Sequence, residues 1–382
     1  MSQPEPEAST PMEQLSPAPA QPWKADDESR PDEFHLAEPP EPLRARSHGI
    51  LFGDDGLRAG WSFLLFVLLL AAISVGGSWL LVHLHLLHPP AKGQAVKALT
   101  PRGTVLMDGI GSIFLLLAAW VMSRVERRPF GRYGLNLRRA FPDFAAGAAW
   151  GIGAMSALIG TLYLTHSIAF DGFALHGLHA LGYAVRWAVA FLCVGLFEEF
   201  LTRGFLQYTV SRGVAGMARA LSQRNRHTHA LGFAVAAFLF SVCLFMVGHV
   251  GNPGETVPGI IAVGLAGAVF AFSLWRTGTL WWAIGIHATW DWTQSFFYGV
   301  RDSGLPAQGH LIDSHPLGRA LFSGGSTGPE GSIFVIPTLL LVAVVIHYTL
   351  PMRAYPLTPD QMPPPREGHP DGHPQMLPDR LG

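Results

Sequence analysis

Residues 184–207 read AVRWAVAFLCVGLFEEFLTRGFLQ. Apart from Arg186, the stretch runs apolar up to Glu198-Glu199 and resumes around Arg203. A run of about 18 or more apolar residues is long enough to cross a bilayer as a helix. In lipid every backbone N–H and C=O has to be paired within its own segment or sheet, and an open strand edge leaves them unpaired. A helix is therefore expected here, with two carboxylates inside it.

The same pattern recurs outward from this stretch. Further apolar runs cover 61–82, 104–124, 142–164, 229–249, 257–275, 279–299 and 332–350. With 184–207 that makes about eight spans of roughly 20 residues each. The expected fold class is all-α, a polytopic membrane helix bundle. Small residues recur within the runs, as in AAGAAWGIGAMSA at 145–157, and permit close helix–helix approach. The whole chain agrees: of 382 residues 49% are apolar and only 14% charged, with a mean hydropathy of +0.28. Soluble domains carry roughly 25% charged residues.

The bundle, 49–350, lies between two polar tails. Residues 1–48 hold ten prolines, ten acidic and four basic residues, and 351–382 contain PPPREGHPDGHP. Neither buries enough apolar surface to offset its ordering entropy, so both are expected to be disordered. The acidic, Pro-rich start lacks the basic and apolar regions of a signal peptide, which leaves the first span as the insertion signal. Net charge is −1, with nothing to attract nucleic acid. Cys193 and Cys243 both lie in apolar runs and read as packing residues, with no disulfide framework.

Lysine and arginine set the orientation. Arg44, Arg46 and Arg58 precede the first span; Arg124, Arg127, Arg128, Arg132, Arg138 and Arg139 follow the second. Arg212, Arg219, Arg224 and Arg226 follow the fourth, Arg276 separates the sixth and seventh, and Arg353 follows the eighth. The alternate connections are poorer, with Lys92, Lys97 and Arg102, then Arg186, then none in 250–258, then Arg301 and Arg319. Both termini are expected in the cytoplasm. The Ala-, Gly-, Arg- and Pro-rich composition points to a bacterial inner membrane.

Ionisable groups inside spans are expensive, about 2.5–3.5 kcal/mol for a central Asp on insertion scales, and by default mark function. Glu199 and Arg203 are four apart, share a helix face and are expected to pair. Glu198 points about 100° away, which leaves it free for chemistry. The bland alternative is a structural ion pair. Phe245-Met246-Val247-Gly248-His249 ends the fifth span, where a single His is usually interfacial. His287 and Asp291, again four apart, present either two metal ligands or a His and the carboxylate that orients it. His83, His85, His88, His166, His176, His179, His310 and His315 gather at the Lys/Arg-poor ends and read as interfacial or loop residues, as His369 and His373 do in the tail.

Hydrolysis inside a membrane needs an activated water and a stabiliser for the developing oxyanion. Glu supplies a base, and two His with a carboxylate suit a divalent metal such as Zn2+. From the residues alone the reading stops at a polar cluster fit for hydrolysis, metal-assisted or not. Glu198-Glu199-x-x-x-Arg203, then Phe245-x-x-x-His249, then His287-x-x-x-Asp291, in this order on successive spans, resembles the CAAX prenyl endopeptidase and bacteriocin-processing (CPBP, or Abi) family of intramembrane proteases. The resemblance covers 198–291. It implies an endopeptidase acting on a peptide or membrane-protein substrate in the lipid bilayer. Glu198 would activate water with His249, and Glu199 would pair with Arg203. His287 and Asp291 would bind metal or form the oxyanion pocket. Glu198, His249, His287 and Asp291 are the candidate metal ligands. The last motif position is often Asn; an ionised Asp291 repels an oxyanion and better suits a cation, which favours a metal. Two rival classes stay open: a non-catalytic immunity or scaffold protein, and an ion-coupled transporter, whose internal repeats the sequence does not show. One tension is geometric. Glu198 and His287 fall toward the cytoplasmic half of their spans, whereas His249 falls at the far end of its own.

Overall fold

The computed structural model describes residues 49–53, 56–87, 97–221, 227–352 and 355. Nearly all of both tails lies outside these residues, as do His88, Lys92, Arg224, Arg226 and Arg353. The chain divides into two units, Met1–Ser47 and His48–Gly382, and only the second is described below.

The described unit is mostly helical. After a two-residue hairpin, β1 (Phe52–Gly53) and β2 (Gly56–Leu57), come α1 (Ala59–His83), α2 (Pro101–Val125) and α3 (Ala140–Leu164). Strand β3 (Ile168–Phe173) leads into α4 (Gly177–Arg203), α5 (Phe205–Leu221), α6 (Thr228–His249) and α7 (Val257–Thr277). Then follow α8 (Trp281–Asp291), continued by a π-helical turn, Trp292–Phe297, strand β4 (Ile312–Pro316) and α9 (Val335–Thr349). Among the described residues six helical segments are long and apolar enough to cross a membrane, and α9 is a shorter apolar helix. The protein is a polytopic helical membrane protein. Its outward-facing side chains agree: Trp79, Val75, Phe141 and Leu178 are mostly exposed, a costly surface in water and a natural one in lipid.

Two expectations change in detail. The seventh and eighth runs form shorter helices than the sequence suggested. Fifteen residues of α9 rise only about 22 Å against a hydrocarbon core of about 30 Å. Most of α8 is buried in protein, so its length is not set by lipid. The second change concerns Arg212 and Arg219, expected in a loop after the fourth span. They lie instead on α5, which continues the fourth span beyond a break at Gly204.

Helix α8 is held by α3. A side-chain carbon on Gly147 would lie 2.1 Å from the Trp282 carbonyl oxygen, and one on Gly285 would lie 2.3 Å from that of Phe144. Backbones this close require glycine at the crossing. Thr289 adds a hydrogen bond from Oγ1 to the Ala148 carbonyl at 2.9 Å. The apolar core around this crossing includes Met155, Leu158, Trp282, Ile286, Leu339 and Val342. Strands β3 and β4 pair antiparallel, Ile168 opposite Pro316, and tie the connection after α8 to the end of α3. Tyr355, placed by the sequence reading in the C-terminal tail, is buried with its ring 4.9 Å from that of Phe233.

Candidate active site

The depth tension is resolved by the α4–α5–α6 hairpin. Because the fourth span continues as α5, the first turns of α6 pair with that extension and not with α4. Gly232 packs on the Ser211 carbonyl. One step further Ser241 Oγ donates to Gln207 Oε1 at 2.6 Å. Next, the Phe245 ring lies over the Arg203 guanidinium at 4.8 Å. One more turn reaches His249, and His249 and Glu198 line one cavity. Apolar runs of similar length had implied registered ends; the break at Gly204 and the continuation into α5 carry no hydropathy signal.

The two adjacent glutamates have different surroundings. Glu199 is fully buried. Its Oε1 lies 2.9 Å from Arg203 Nη1 and accepts from His287 Nδ1 at 2.8 Å. Arg203 Nη1 also donates to Thr202 Oγ1 at 2.9 Å, and the guanidinium is stacked between Phe245 and Phe270, 5.4 Å from the latter. Glu198 keeps 27% of its side chain exposed, and that exposure is to the cavity. With Nδ1–H donated to Glu199, His287 turns Nε2 toward Glu198 Oε2 at 3.8 Å and Asp291 Oδ2 at 3.6 Å. His249 Nδ1 is 2.8 Å from the Phe245 carbonyl, which directs the other ring nitrogen away from its own helix. Phe245 packs against both histidines, at 4.7 Å from His249 and 6.1 Å from His287.

The cavity holds about 260 Å³. Phe191, Val194, Ala262, Val335 and Leu339 give it an apolar wall, and Glu198, His249, His287 and Asp291 all reach it. So do polar residues that the sequence reading did not single out, among them Asp108, Asn252, Asp302 and Glu330. Asp108 had a signal. It is the only ionisable residue in the 104–123 apolar run, and the rule applied to Glu198 applies to it. Asp302 and Glu330 sit in the connection after α8, where carboxylates are unremarkable in sequence. Asp302 Oδ2 accepts from Ser295 at 2.9 Å, and Glu330 Oε1 accepts from the Trp290 indole at 3.0 Å. Burial, then the neighbouring Glu330, push the Asp302 carboxyl up to about 7.

Three helices carry π-helical stretches, Val105–Gly109, Ala237–Leu244 and Trp292–Phe297. The first contains Asp108, the second precedes Phe245 and the third follows Asp291. Such stretches shift side-chain register within a helix and are frequent at functional sites.

The expected metal set does not converge. Among the described residues no three His, Cys, Asp or Glu side chains are placed to hold a metal ion. Glu198, His249, His287 and Asp291 line one cavity, and the bond from His287 Nδ1 to Glu199 leaves Nε2 as the ring nitrogen that faces it. No step below passes through a metal ion. Cys193 and Cys243 are free and half-buried. In the connection after α8 and at β3, His310 pairs with Asp313 and His315 with Asp171, at 2.5 and 2.7 Å.

Residues 180–293 match the family model described as Rce1-like, type II CAAX prenyl endopeptidase Rce1-like. The match begins in α4 and ends just past Asp291, so it takes in all three motifs. Comparisons with curated proteins and with solved structures give no match. The chain thus carries a domain of the Rce1-like CAAX endopeptidase (CPBP/Abi) family.

Proposed function

We propose that the protein is an intramembrane endopeptidase in which Glu198 activates the hydrolytic water. The observation that carries this reading is the division of labour between the two glutamates. Glu199 is fully buried and held by Arg203 and His287, whereas Glu198 faces the cavity beside both histidines. A base has to reach the proton that it takes, and only Glu198 of the two is free to.

The peptide lies in the cavity against the apolar wall. Glu198 takes a proton from water, with His249 orienting it, and the hydroxide adds to the carbonyl carbon. The resulting oxyanion needs donors. His287 Nε2 in its protonated form is one. The Asn252 side-chain amide, which also lines the cavity, is a neutral second donor of the kind that ionised Asp291 cannot be. Glu198 then returns its proton to the leaving amine as the C–N bond breaks. Glu199 and Arg203 hold His287 in place and touch no reacting atom.

Purified protein incubated with apolar peptides is expected to yield defined new termini by mass spectrometry, unchanged in rate after exhaustive chelation. Loss of cleavage on chelation, restored by Zn2+, would instead require the four candidate ligands to close on one ion at about 2.0–2.2 Å. No cleavage by the fully folded protein would favour the scaffold reading.

The cavity-lining connections at 250–256 and 298–334 are expected on the Lys/Arg-poor, non-cytoplasmic side, with both termini cytoplasmic. Cysteine at Asp313 should react with an impermeant thiol reagent on sealed cells, and cysteine at Arg138 only after permeabilisation. Equal labelling of both positions on sealed cells would refute this orientation.

A further inference from the structure

Five carboxyl groups line the cavity, from Asp108, Glu198, Asp291, Asp302 and Glu330, and no lysine or arginine does so among the described residues. Arg203 lies behind the wall, fully buried against Glu199. Asp291 is only 7% exposed and accepts no hydrogen bond among the described residues; its nearest charged neighbour is His287 Nε2 at 3.6 Å. Asp108 stands on the π-helical stretch of α2, with no hydrogen bond or ion pair among the described residues. His287 faces Asp291, and with His249 it sets at most two positive charges against five carboxyls in the lining, an imbalance that is costly in a low-dielectric site. No three of them are placed to share a metal ion, so a single small cation does not answer them.

We propose that the cavity accepts a peptide segment carrying a lysine or arginine side chain close to the scissile bond, with Asp108 and Asp291 as its counter-charges. This rests on the endopeptidase reading above. A lysine or arginine carries its charge at the end of a flexible stem and offers several hydrogen-bond donors from that one head. Its methylene stem lies along apolar surface while the charged head reaches the carboxylates. The apolar wall takes the rest of the segment. The same lining works against an acidic substrate, because like charges in a poorly screened site repel.

The test uses three apolar peptides identical but for one central Lys, Gln or Glu. Binding is read by fluorescence polarisation on the full-length protein, and cleavage separately by mass spectrometry. Failure of cleavage and failure of this preference are therefore distinguishable. The Lys peptide is expected to bind roughly tenfold more tightly than the Gln peptide, and the Glu peptide more weakly than either. In Asp108→Asn the Lys-to-Gln affinity ratio is expected to fall several-fold, and in Asp108→Lys the order of Lys and Glu should reverse. Asp291→Asn provides an independent loss of the ratio if Asp108 variants do not accumulate. Equal binding of the three peptides by wild-type protein would overturn the proposal without any variant. So would a Lys-to-Gln ratio that both Asn variants leave unchanged.

Discussion

Arg203→Ala is expected to leave little folded protein in the membrane. Arg203 is among the largest fully buried side chains, and Glu199 beside it has no exposure. Removing one partner of a buried ion pair costs about 3–5 kcal/mol, because the other charge stays behind uncompensated. Here the loss extends further, since the guanidinium also fills the space between Phe245 and Phe270. Arg203→Lys keeps the charge but not the planar stacking or the forked donors, and is expected to accumulate at an intermediate level. If the damage comes from the orphaned carboxylate, Glu199→Gln combined with Arg203→Met should accumulate better than Arg203→Ala alone. Quantitative membrane blots and thermal melts in detergent check all three. An Arg203→Ala protein as abundant and heat-stable as wild type would remove this role.

Much of this site could be read from spacing. An i, i+4 interval sets Glu199 against Arg203 and His287 near Asp291, because residues four apart share a helix face whatever the tertiary fold. The polytopic helical class was legible because lipid imposes length and apolarity on each helix; six of the eight expected runs form long apolar helices and 332–350 a shorter one. What was not legible depends on backbone irregularity. The break at Gly204 turns one expected span and loop into two helices, and it sets the depth of His249. The contact between His287 Nδ1 and Glu199 joins α8 to α4 across 88 residues, and no local rule predicts such a contact. Convergence of the four metal candidates on one point was an inference from residue type. Residue type fixes which atoms bind metal but not where the helices place them. Asp302 and Glu330 enter the cavity from a connection whose polarity is ordinary in sequence.

The second large effect concerns Glu198. Glu198→Gln retains size and hydrogen bonding but takes no proton from water. The side chain faces the cavity and touches the buried cluster only through His287 Nε2 at 3.8 Å, so the substitution should leave expression and melting temperature close to wild type. General-base catalysis contributes roughly 10²–10⁴-fold, and kcat is expected to fall by at least that much, while peptide binding survives. Substitution at Glu199 contrasts with this: it disturbs a buried network first and lowers activity through loss of fold. The most direct measurement is the rate of peptide cleavage by purified wild-type and Glu198→Gln proteins, side by side in one detergent, with their melting curves. The account predicts defined cleavage products from wild type and none from an equally stable Glu198→Gln protein. Equal rates from the two would contradict it.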